Sequence, residues 1–247
     1  MLTILAFMLS TSALAASCSA SATKPVALIE LYTSEGCNSC PPADKWLAAL
    51  ARSSQVPSQA VPLALHVPYW DYIGWRDRFA SPQFEQRQRE AVRQGRASAV
   101  YTPQVFLNGH DFREWSHGGL DRALAKIAQQ PAKATLTLDA HAGDHGTQVS
   151  VSGKAPAGAL VMLTRYESGL SSDVKSGENS GEHLTHDNVV RDWIELGRVA
   201  KDGALSFSRE LQKRPDIQAG QSGLAAFVQD PASGEVLQAV MLPQCGS

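Results

Sequence analysis

A pair of cysteines between a predicted strand and a predicted helix is the feature that most restricts the fold of this 247-residue chain. The run VALIELYT, residues 26–33, is apolar almost throughout, as expected of a strand that is covered on both faces. Cys37 and Cys40 follow in the turn, and PPADKWLAALARSS then predicts a helix that begins with prolines, where prolines are tolerated. The sequence therefore places a CxxC motif at the start of a helix.

This position favours a negatively charged sulfur at Cys37, because free backbone N–H groups and the positive end of the helix dipole point toward it. A helix terminus contributes up to about 2 kcal/mol, which lowers a thiol pKa by up to about 1.5 units. The two-residue spacer lets the sulfurs reach bonding distance, so that one attacks a disulfide and the other resolves the mixed disulfide. We predict Cys37 as the attacking thiol and Cys40 as the resolving thiol of a thiol–disulfide oxidoreductase.

Other roles for the CxxC motif stay open at this level. Cys37 and Cys40 could form a permanent disulfide in a binding or interaction module of an exported protein. A zinc site would need two further ligands, and the chain has neither a second CxxC motif nor a recognisable histidine cluster. A copper site built from the two cysteines and one histidine is a further alternative. The redox role predicts no metal and no organic cofactor, since the two sulfurs store the electrons.

Strand and helix patterns alternate up to about residue 130. AVPLALHVPYW predicts a second strand, SPQFEQRQREAVRQGR a helix that begins at Ser81-Pro82, and TPQVFLNG a third strand with HDFREWSHG as a short partner. GGLDRALAKIAQQ predicts a last helix, which ends before Pro131. This order predicts a layered α/β domain over residues 23–131, with a helical insertion.

The pattern changes after Pro131. Short alternating segments separated by Gly, Pro and Asp predict an antiparallel, β-rich and sandwich-like domain over residues 132–247; they are KATLTLDAHA, TQVSVSGKA, ALVMLTRYES, GALSFSREL, SGLAAFVQD and EVLQAVML. The polar stretch SGLSSDVKSGENSGEHLTHDN predicts a long mobile loop.

Residues 1–22 predict a signal peptide and an irregular lead-in. LTILAFMLSTSALAA is too short to span a bilayer and ends in small residues, with A-x-A patterns that end at Ala15 and at Ala22. No later segment is long and apolar enough to be a membrane span. We therefore expect a periplasmic or secreted protein. A lipid anchor at Cys18 is disfavoured, because Ala15 stands where lipoproteins prefer a larger aliphatic residue.

The two remaining cysteines lie near the ends of the chain. An exported protein meets an oxidising compartment, where an even number of cysteines is expected to pair. Cleavage after Ala15 would keep Cys18 and allow a disulfide with Cys245, whereas cleavage after Ala22 would remove Cys18. The sequence leaves both outcomes open.

Charge excludes one class of partner. The net charge is −2, charged residues make up 19% of the chain, and no run of Lys or Arg provides the basic surface that phosphate binding needs. We predict no nucleic-acid binding; the expected partners are protein thiols or disulfides, or a redox partner protein.

Four stretches, ELYTSEGCNSCPPAD, HVPYWDYIGWRDRFASPQF, YTPQVFLNG and LTHDNVVRDWIELG, resemble a secreted bacterial family catalogued as domain of unknown function 1223. The resemblance covers most of the mature chain. It implies a thioredoxin-like N-terminal domain followed by a β-rich C-terminal domain, and no demonstrated reaction. Compared with thioredoxins, no Trp precedes Cys37, the spacer is Asn-Ser instead of Gly-Pro, and the segment before Thr102 is enlarged.

The resemblance also implies roles for single residues. Thr102-Pro103 corresponds to a cis-proline edge that faces the dithiol and docks the substrate chain, although only about 5–6% of X–Pro bonds in folded proteins are cis. Glu30, seven residues before Cys37, corresponds to a buried acid that relays protons to the resolving cysteine. A solvated charge at the strand end is the other interpretation of Glu30.

The aromatic segment HVPYWDYIGWRDRFASPQF allows two interpretations. Trp70 and Asp71 could form a substrate platform beside the dithiol. Alternatively, Trp70 packs under the helical insertion and Asp71 caps a turn.

Overall fold

The structure is a computed structural model, and it describes residues 17–243. The α-helices of this range are α1 (Pro41–Ala51), α2 (Pro82–Arg93) and α3 (Leu120–Ala128). Its strands are β1 (Ser17–Ala22), β2 (Ala27–Thr33), β3 (Ala60–His66), β4 (Gln104–Leu107), β5 (His110–Asp111), β6 (Thr135–Ala142), β7 (Gly146–Lys154), β8 (Leu160–Glu167), β9 (Leu170–Asp173), β10 (His183–His186), β11 (Val189–Arg198), β12 (Ala204–Gln212), β13 (Ser222–Gln229) and β14 (Val236–Leu242). None of the described helices is long and apolar enough to cross a membrane.

Strands from both halves of the sequence form one eight-stranded mixed sheet, in the order β14-β13-β8-β11-β3-β2-β4-β5. β2 and β3 are parallel, and β4 is antiparallel to β2. The halves join where β11 runs parallel to β3, with Val189 opposite Ala64. The Ala64 N–H donates a hydrogen bond to the carbonyl of Asn188 at 2.8 Å.

The predicted fold class, an α/β thioredoxin-like domain followed by a sandwich-like β domain, is wrong. The described protein is mostly β-sheet, with 41% strand and 20% helix, and its largest sheet is mixed and runs through both halves. Most of the predicted strands and helices lie near their observed places, but β1, β9, β10 and β11 were not predicted, and neither was the assembly. Local patterns indicate where a strand lies; they do not indicate that β11 pairs with β3 from the other half.

The second large sheet is antiparallel and has the order β1-β6-β7-β12. β1, which was expected to be an irregular lead-in, pairs with β6 from Ser17 opposite His141 to Ala22 opposite Leu136. The apolar segment of the predicted signal peptide lies before residue 17 and so outside the described residues.

The two faces of β2 pack against different elements. Ile29 and Leu31 lie in a core cluster with Leu47 and Leu50 of α1. Leu28 and Tyr32 lie in the larger cluster, which also contains Phe84 of α2. Because successive strand side chains alternate between faces, this division follows from the sequence once both faces are covered.

The polar stretch that was predicted to be a mobile loop contains an ordered hairpin. β9 and β10 pair in their own two-stranded sheet, from Leu170 opposite His186 to Asp173 opposite His183. We call residues 168–188 the arm. Val174, Asn179 and His186 are buried, so the arm packs against the rest of the protein.

Candidate functional site

The CxxC motif lies in the turn between β2 and α1. The Cys37 N–H donates to the carbonyl of Ser34, and the Cys40 N–H donates to the carbonyl of Cys37, both at 3.2 Å. Cys40 is the N-cap of α1, and its carbonyl accepts the N–H groups of Ala43 and Asp44. Both cysteines are free thiols with no exposed surface. The two cysteines are therefore not bonded to each other in the structure, and they lie at the start of a helix, where the sequence predicts them.

The environments of the two sulfurs separate their pKa values. A hydrogen bond from the Cys40 thiol is the largest influence on Cys37; with contributions from Ser39 and Thr102 it outweighs burial and lowers the pKa of Cys37 to about 6. The Ser39 hydroxyl lies 3.2 Å from the Cys37 sulfur. Burial, the Cys37 sulfur and the nearby Asp44 charge raise the pKa of Cys40 well above its usual range. Near neutral pH, Cys37 is a thiolate beside a protonated Cys40.

Thr102 and Pro103 lie next to the dithiol. The Thr102–Pro103 peptide bond is cis, as the resemblance implied. The Thr102 hydroxyl is one of the groups that lower the pKa of Cys37. It also accepts a 2.7 Å hydrogen bond from the indole N–H of Trp70. Trp70 and Thr102 thus form one wall of the site.

Trp70 and Asp71 belong to a 3₁₀-helical segment, Pro68–Ile73. A Cβ atom at Gly36 would lie 2.9 Å from the Cβ of Trp70, so this position needs a glycine for the close approach. The Asp71 carboxylate accepts the N–H of Asp77 at 3.2 Å, which closes the loop after the segment. The structure brings Trp70 to the site and gives Asp71 the turn-capping contact.

Glu30 lies on the other face of β2 from α1. Its carboxylate binds the guanidinium of Arg87 at 2.6 and 3.2 Å, and Arg87 also donates to Gln229. Glu30 has no hydrogen bond to either cysteine among the described contacts. The geometry does not support the relay predicted for Glu30; the carboxyl whose charge acts on Cys40 is that of Asp44.

A cluster of buried ionisable groups lies on the α1 side of the sheet, and sequence reasoning missed it. Its members are Glu35, Asp44, His66, Asp77 and His186, none more than 7% exposed. Asp77 binds His66 at 2.7 Å, and Glu35 binds His186 at 3.2 Å. The two imidazole rings meet edge to face, 4.8 Å between centroids. The residues come from five separate segments, so their spacing in the sequence carries no signal, and His186 lies in the stretch predicted to be a mobile loop.

Electrostatics inside the cluster follow from these pairs. Burial alone would lower the pKa of His66, but Asp77 outweighs burial and raises it. Burial would raise the pKa of Asp77, but His66 outweighs it and lowers that pKa. Burial raises the pKa of Asp44 and outweighs the opposing charges of His186, 3.9 Å away, and of His66. Hydrogen bonds from His186 and Trp75 overcome burial and lower the pKa of Glu35.

The arm reaches the motif from the C-terminal half. The side-chain amide of Asn179 donates to the carbonyls of Glu35 at 2.8 Å and of Cys37 at 3.0 Å. The Asn38 N–H donates to the carboxylate of Glu178 at 3.1 Å. The CxxC turn is therefore held from two sides, by its own helix and by the arm.

The other cysteines lie elsewhere. Cys18 is in β1 and is disulfide-bonded. Cys245 lies outside the described residues, so the pairing of Cys18 with Cys245 stays a prediction. Over residues 17–243, no group of three or more His, Cys, Asp or Glu side chains is arranged to hold a metal ion.

Two solved structures resemble the protein over most of its length. The X-ray structure of protein AGR_C_4864 from Agrobacterium tumefaciens is 27% identical, with a TM-score of 0.68 over 92% of this chain and 98% of that chain. HBP35 of Porphyromonas gingivalis is 15% identical, with a TM-score of 0.68 over 90% of this chain and 76% of that chain, a likeness of fold alone. No curated protein matches the chain. The model of a protein family of unknown function, DUF1223, matches residues 28–229, and the chain therefore belongs to that family.

Proposed function

We propose that the protein is an exported thiol–disulfide oxidoreductase that exchanges electrons with protein thiols or disulfides through Cys37 and Cys40. The observation that carries the proposal is the difference between the two sulfurs. The pKa of Cys37 is lowered to about 6 and that of Cys40 is raised. A structural disulfide requires no such difference, whereas an exchange reaction requires one nucleophilic thiolate and one protonated thiol in reserve.

The reaction follows from these charges. The Cys37 thiolate attacks one sulfur of a substrate disulfide, that bond breaks, and the other substrate sulfur leaves as a thiolate. Cys40 then loses its proton and attacks the Cys37 sulfur, which forms the Cys37–Cys40 bond and releases the second substrate thiolate. The substrate disulfide gains two electrons and the dithiol loses two. In the opposite direction, a substrate dithiol is oxidised by the same steps in reverse order.

Substrate access is expected beside the spacer. Asn38 and Ser39 are exposed, while the cysteines on either side of them have no exposed surface. We propose that the wall formed by Trp70, Thr102 and Pro103 receives the substrate chain and moves enough for a substrate sulfur to reach Cys37.

Export is proposed on the signal-peptide pattern and on β1. β1 pairs with β6 over its whole length, so cleavage after Ala15 preserves this strand and cleavage after Ala22 removes it. We propose that the mature protein begins directly after Ala15 and acts in the periplasm or outside the cell.

The test is a redox titration of the purified mature protein in glutathione buffers, with the thiols of Cys37 and Cys40 trapped and mapped by mass. A midpoint between about −270 and −120 mV supports exchange and gives the direction of electron flow. A bond that stays closed well below about −300 mV overturns the proposal and favours a binding module with a structural disulfide.

A further inference from the structure

The arm is anchored to the N-terminal half at several points, although its hairpin belongs to neither large sheet. Asp187 forms an ion pair with Arg52, and Ser176 donates a hydrogen bond to the carbonyl of Gly74. Arg78 donates to the carbonyl of Ser171 at 2.6 Å. An isolated hairpin is marginally stable, so these contacts hold the arm in place.

Asn179 is the arm residue that meets the CxxC backbone most directly. It is 5% exposed, and its amide group donates to the carbonyl of Glu35, before the motif, and to the carbonyl of Cys37, the first residue of the motif. The Cys37 carbonyl also accepts the N–H of Cys40. The Cys37 carbonyl thus accepts one hydrogen bond from within the motif and one from the arm. Together they fix the orientation of the peptide group that follows Cys37.

The orientation of that peptide sets where the spacer lies. Ser39, two residues after Cys37, reaches back so that its hydroxyl is 3.2 Å from the Cys37 sulfur. Hydrogen bonding from the Ser39 side chain and backbone lowers the pKa of Cys37. Movement of the Cys37 carbonyl would therefore weaken the contacts that stabilise the thiolate.

We propose that the arm positions the CxxC turn for exchange, with Asn179 as the positioning residue. The inference rests on the proposed function, since it concerns the reactivity of the same dithiol. It assigns to the C-terminal half a direct part in a site whose cysteines lie in the N-terminal half.

Glu178 acts on the same turn in the opposite sense. Its exposed carboxylate accepts the Asn38 N–H at 3.1 Å and places a negative charge near the motif. A negative charge disfavours formation of a thiolate. The ionisable and charged groups around Cys37 are Cys40, which is the N-cap of α1, Asp44 of α1, Glu35 in the preceding turn, Tyr69 in the 3₁₀ segment, and Glu178 on the arm.

The test is the pH dependence of Cys37 alkylation by iodoacetamide in the reduced full-length mature protein. Asn179→Ala should move the midpoint upward by about one pH unit, which slows alkylation about tenfold below the midpoint. Glu178→Gln keeps a hydrogen-bond acceptor but removes the charge, and should move the midpoint downward by a few tenths of a unit. Ser180→Ala, in the same loop and without contact to the motif, should leave the midpoint unchanged.

A purely structural role for Asn179 would lower stability without moving the midpoint, so a midpoint equal to that of Ser180→Ala overturns the inference. If Asn179→Ala does not fold, the Glu178→Gln variant provides the test. An unchanged alkylation midpoint in Glu178→Gln also overturns the inference. The glutathione titration separates this inference from the function. If the wild-type protein has no exchange activity, the proposed function is wrong. If exchange is normal but Asn179→Ala leaves the alkylation midpoint unchanged, only the proposed role of the arm is wrong.

Discussion

His66 and Asp77 form an ion pair whose side chains are both 0% exposed, in a region that no sequence motif marks. Removing one partner from a buried pair leaves the other uncompensated and costs about 3–5 kcal/mol. The pair links His66, the last residue of β3, to Asp77 in the loop after the 3₁₀ segment. It therefore stabilises the frame around the dithiol without contacting it.

We predict that Asp77→Asn lowers the free energy of unfolding by about 3–5 kcal/mol near pH 5.5, and by less near pH 8.5. The folded pKa of His66 is raised, so its contribution is complete below its ordinary pKa of about 6.5 and is lost as pH rises through the raised value. The folded pKa of Asp77 is lowered, so its contribution is lost only as pH falls below about 3.9. Urea unfolding at the two pH values measures both losses.

The control is a second His–Asp pair, His183 with Asp173, which has the same 2.7 Å separation but is 62% and 65% exposed. Asp173→Asn should change stability little at either pH, because an exposed pair is screened. An equal loss in both variants, or a larger loss for Asp77→Asn at high pH, would contradict the assignment of His66 as a buried cation.

Asp44 and Glu30 allow a residue-level test of which carboxylate acts on the dithiol. In a Cys37→Ser background, Asp44→Asn should lower the pKa of Cys40 by about one unit, because a nearby negative charge is removed. Glu30→Gln should leave that pKa unchanged, since Glu30 is bound by Arg87 on the other face of β2. Ultraviolet absorbance of the thiolate during a pH titration measures the pKa without requiring access to the buried sulfur. A larger shift in Glu30→Gln would restore the relay predicted for that residue.

At the scale of elements, the side chain of Trp70 in the 3₁₀ segment packs against the backbone of Gly36 in the CxxC turn. Gly36 makes this approach possible, since an added Cβ would lie within 2.9 Å of Trp70. The backbone of Gly36 is not left-handed, so space alone restricts the residue. Trp70 can therefore take its position over the site only because Gly36 has no Cβ atom.

We predict that Gly36→Ala destabilises the protein by about 1–3 kcal/mol and displaces Trp70, because overpacking forces a shift of the segment. Trp fluorescence and denaturant unfolding measure the two effects. Gly220→Ala is the matched control, because an added Cβ there meets nothing within 4 Å and its backbone is also not left-handed. Equal free energies of unfolding in the two variants would show that the segment of Trp70 can move away from an added Cβ atom without loss of stability.

At the scale of the whole molecule, one sheet runs through both halves of the chain. β3 is paired on one side with β2 and on the other with β11. The α2 face is completed by residues of the C-terminal half: Arg87 lies over the rings of Trp193 and Phe227, 4.8 and 5.4 Å from their centroids. The N-terminal half alone would expose this face and one edge of β3.

We predict that a chain ending at Pro131 does not fold into a native-like unit, whereas the full mature chain unfolds in a single cooperative transition. The reason is the exposed apolar face around Phe84 and Phe106, which the second half covers. Near-ultraviolet circular dichroism and urea unfolding of both proteins measure this. Cooperative unfolding of the truncated chain would instead support the prediction of two independent domains.

Much of the local structure could be predicted from sequence because its signals are local. The apolar run before Cys37 predicted β2, and prolines 41 and 42 predicted the start of α1, with the CxxC motif directly before it. The Ser81-Pro82 pair predicted α2, where the Ser81 hydroxyl accepts the N–H of Gln83. Each of these features depends on neighbours within a few residues.

The partners of these elements lie far apart in the chain, and no local pattern encodes them. Val189 pairs with Ala64, Asn179 binds the Cys37 carbonyl, and His186 meets Glu35, each across more than a hundred residues. Glu30 binds Arg87 on the face of β2 that lies away from α1, because strand side chains alternate between faces. The sequence thus specifies a CxxC motif at a helix start; the packing of distant segments specifies which groups set the charge of its sulfurs.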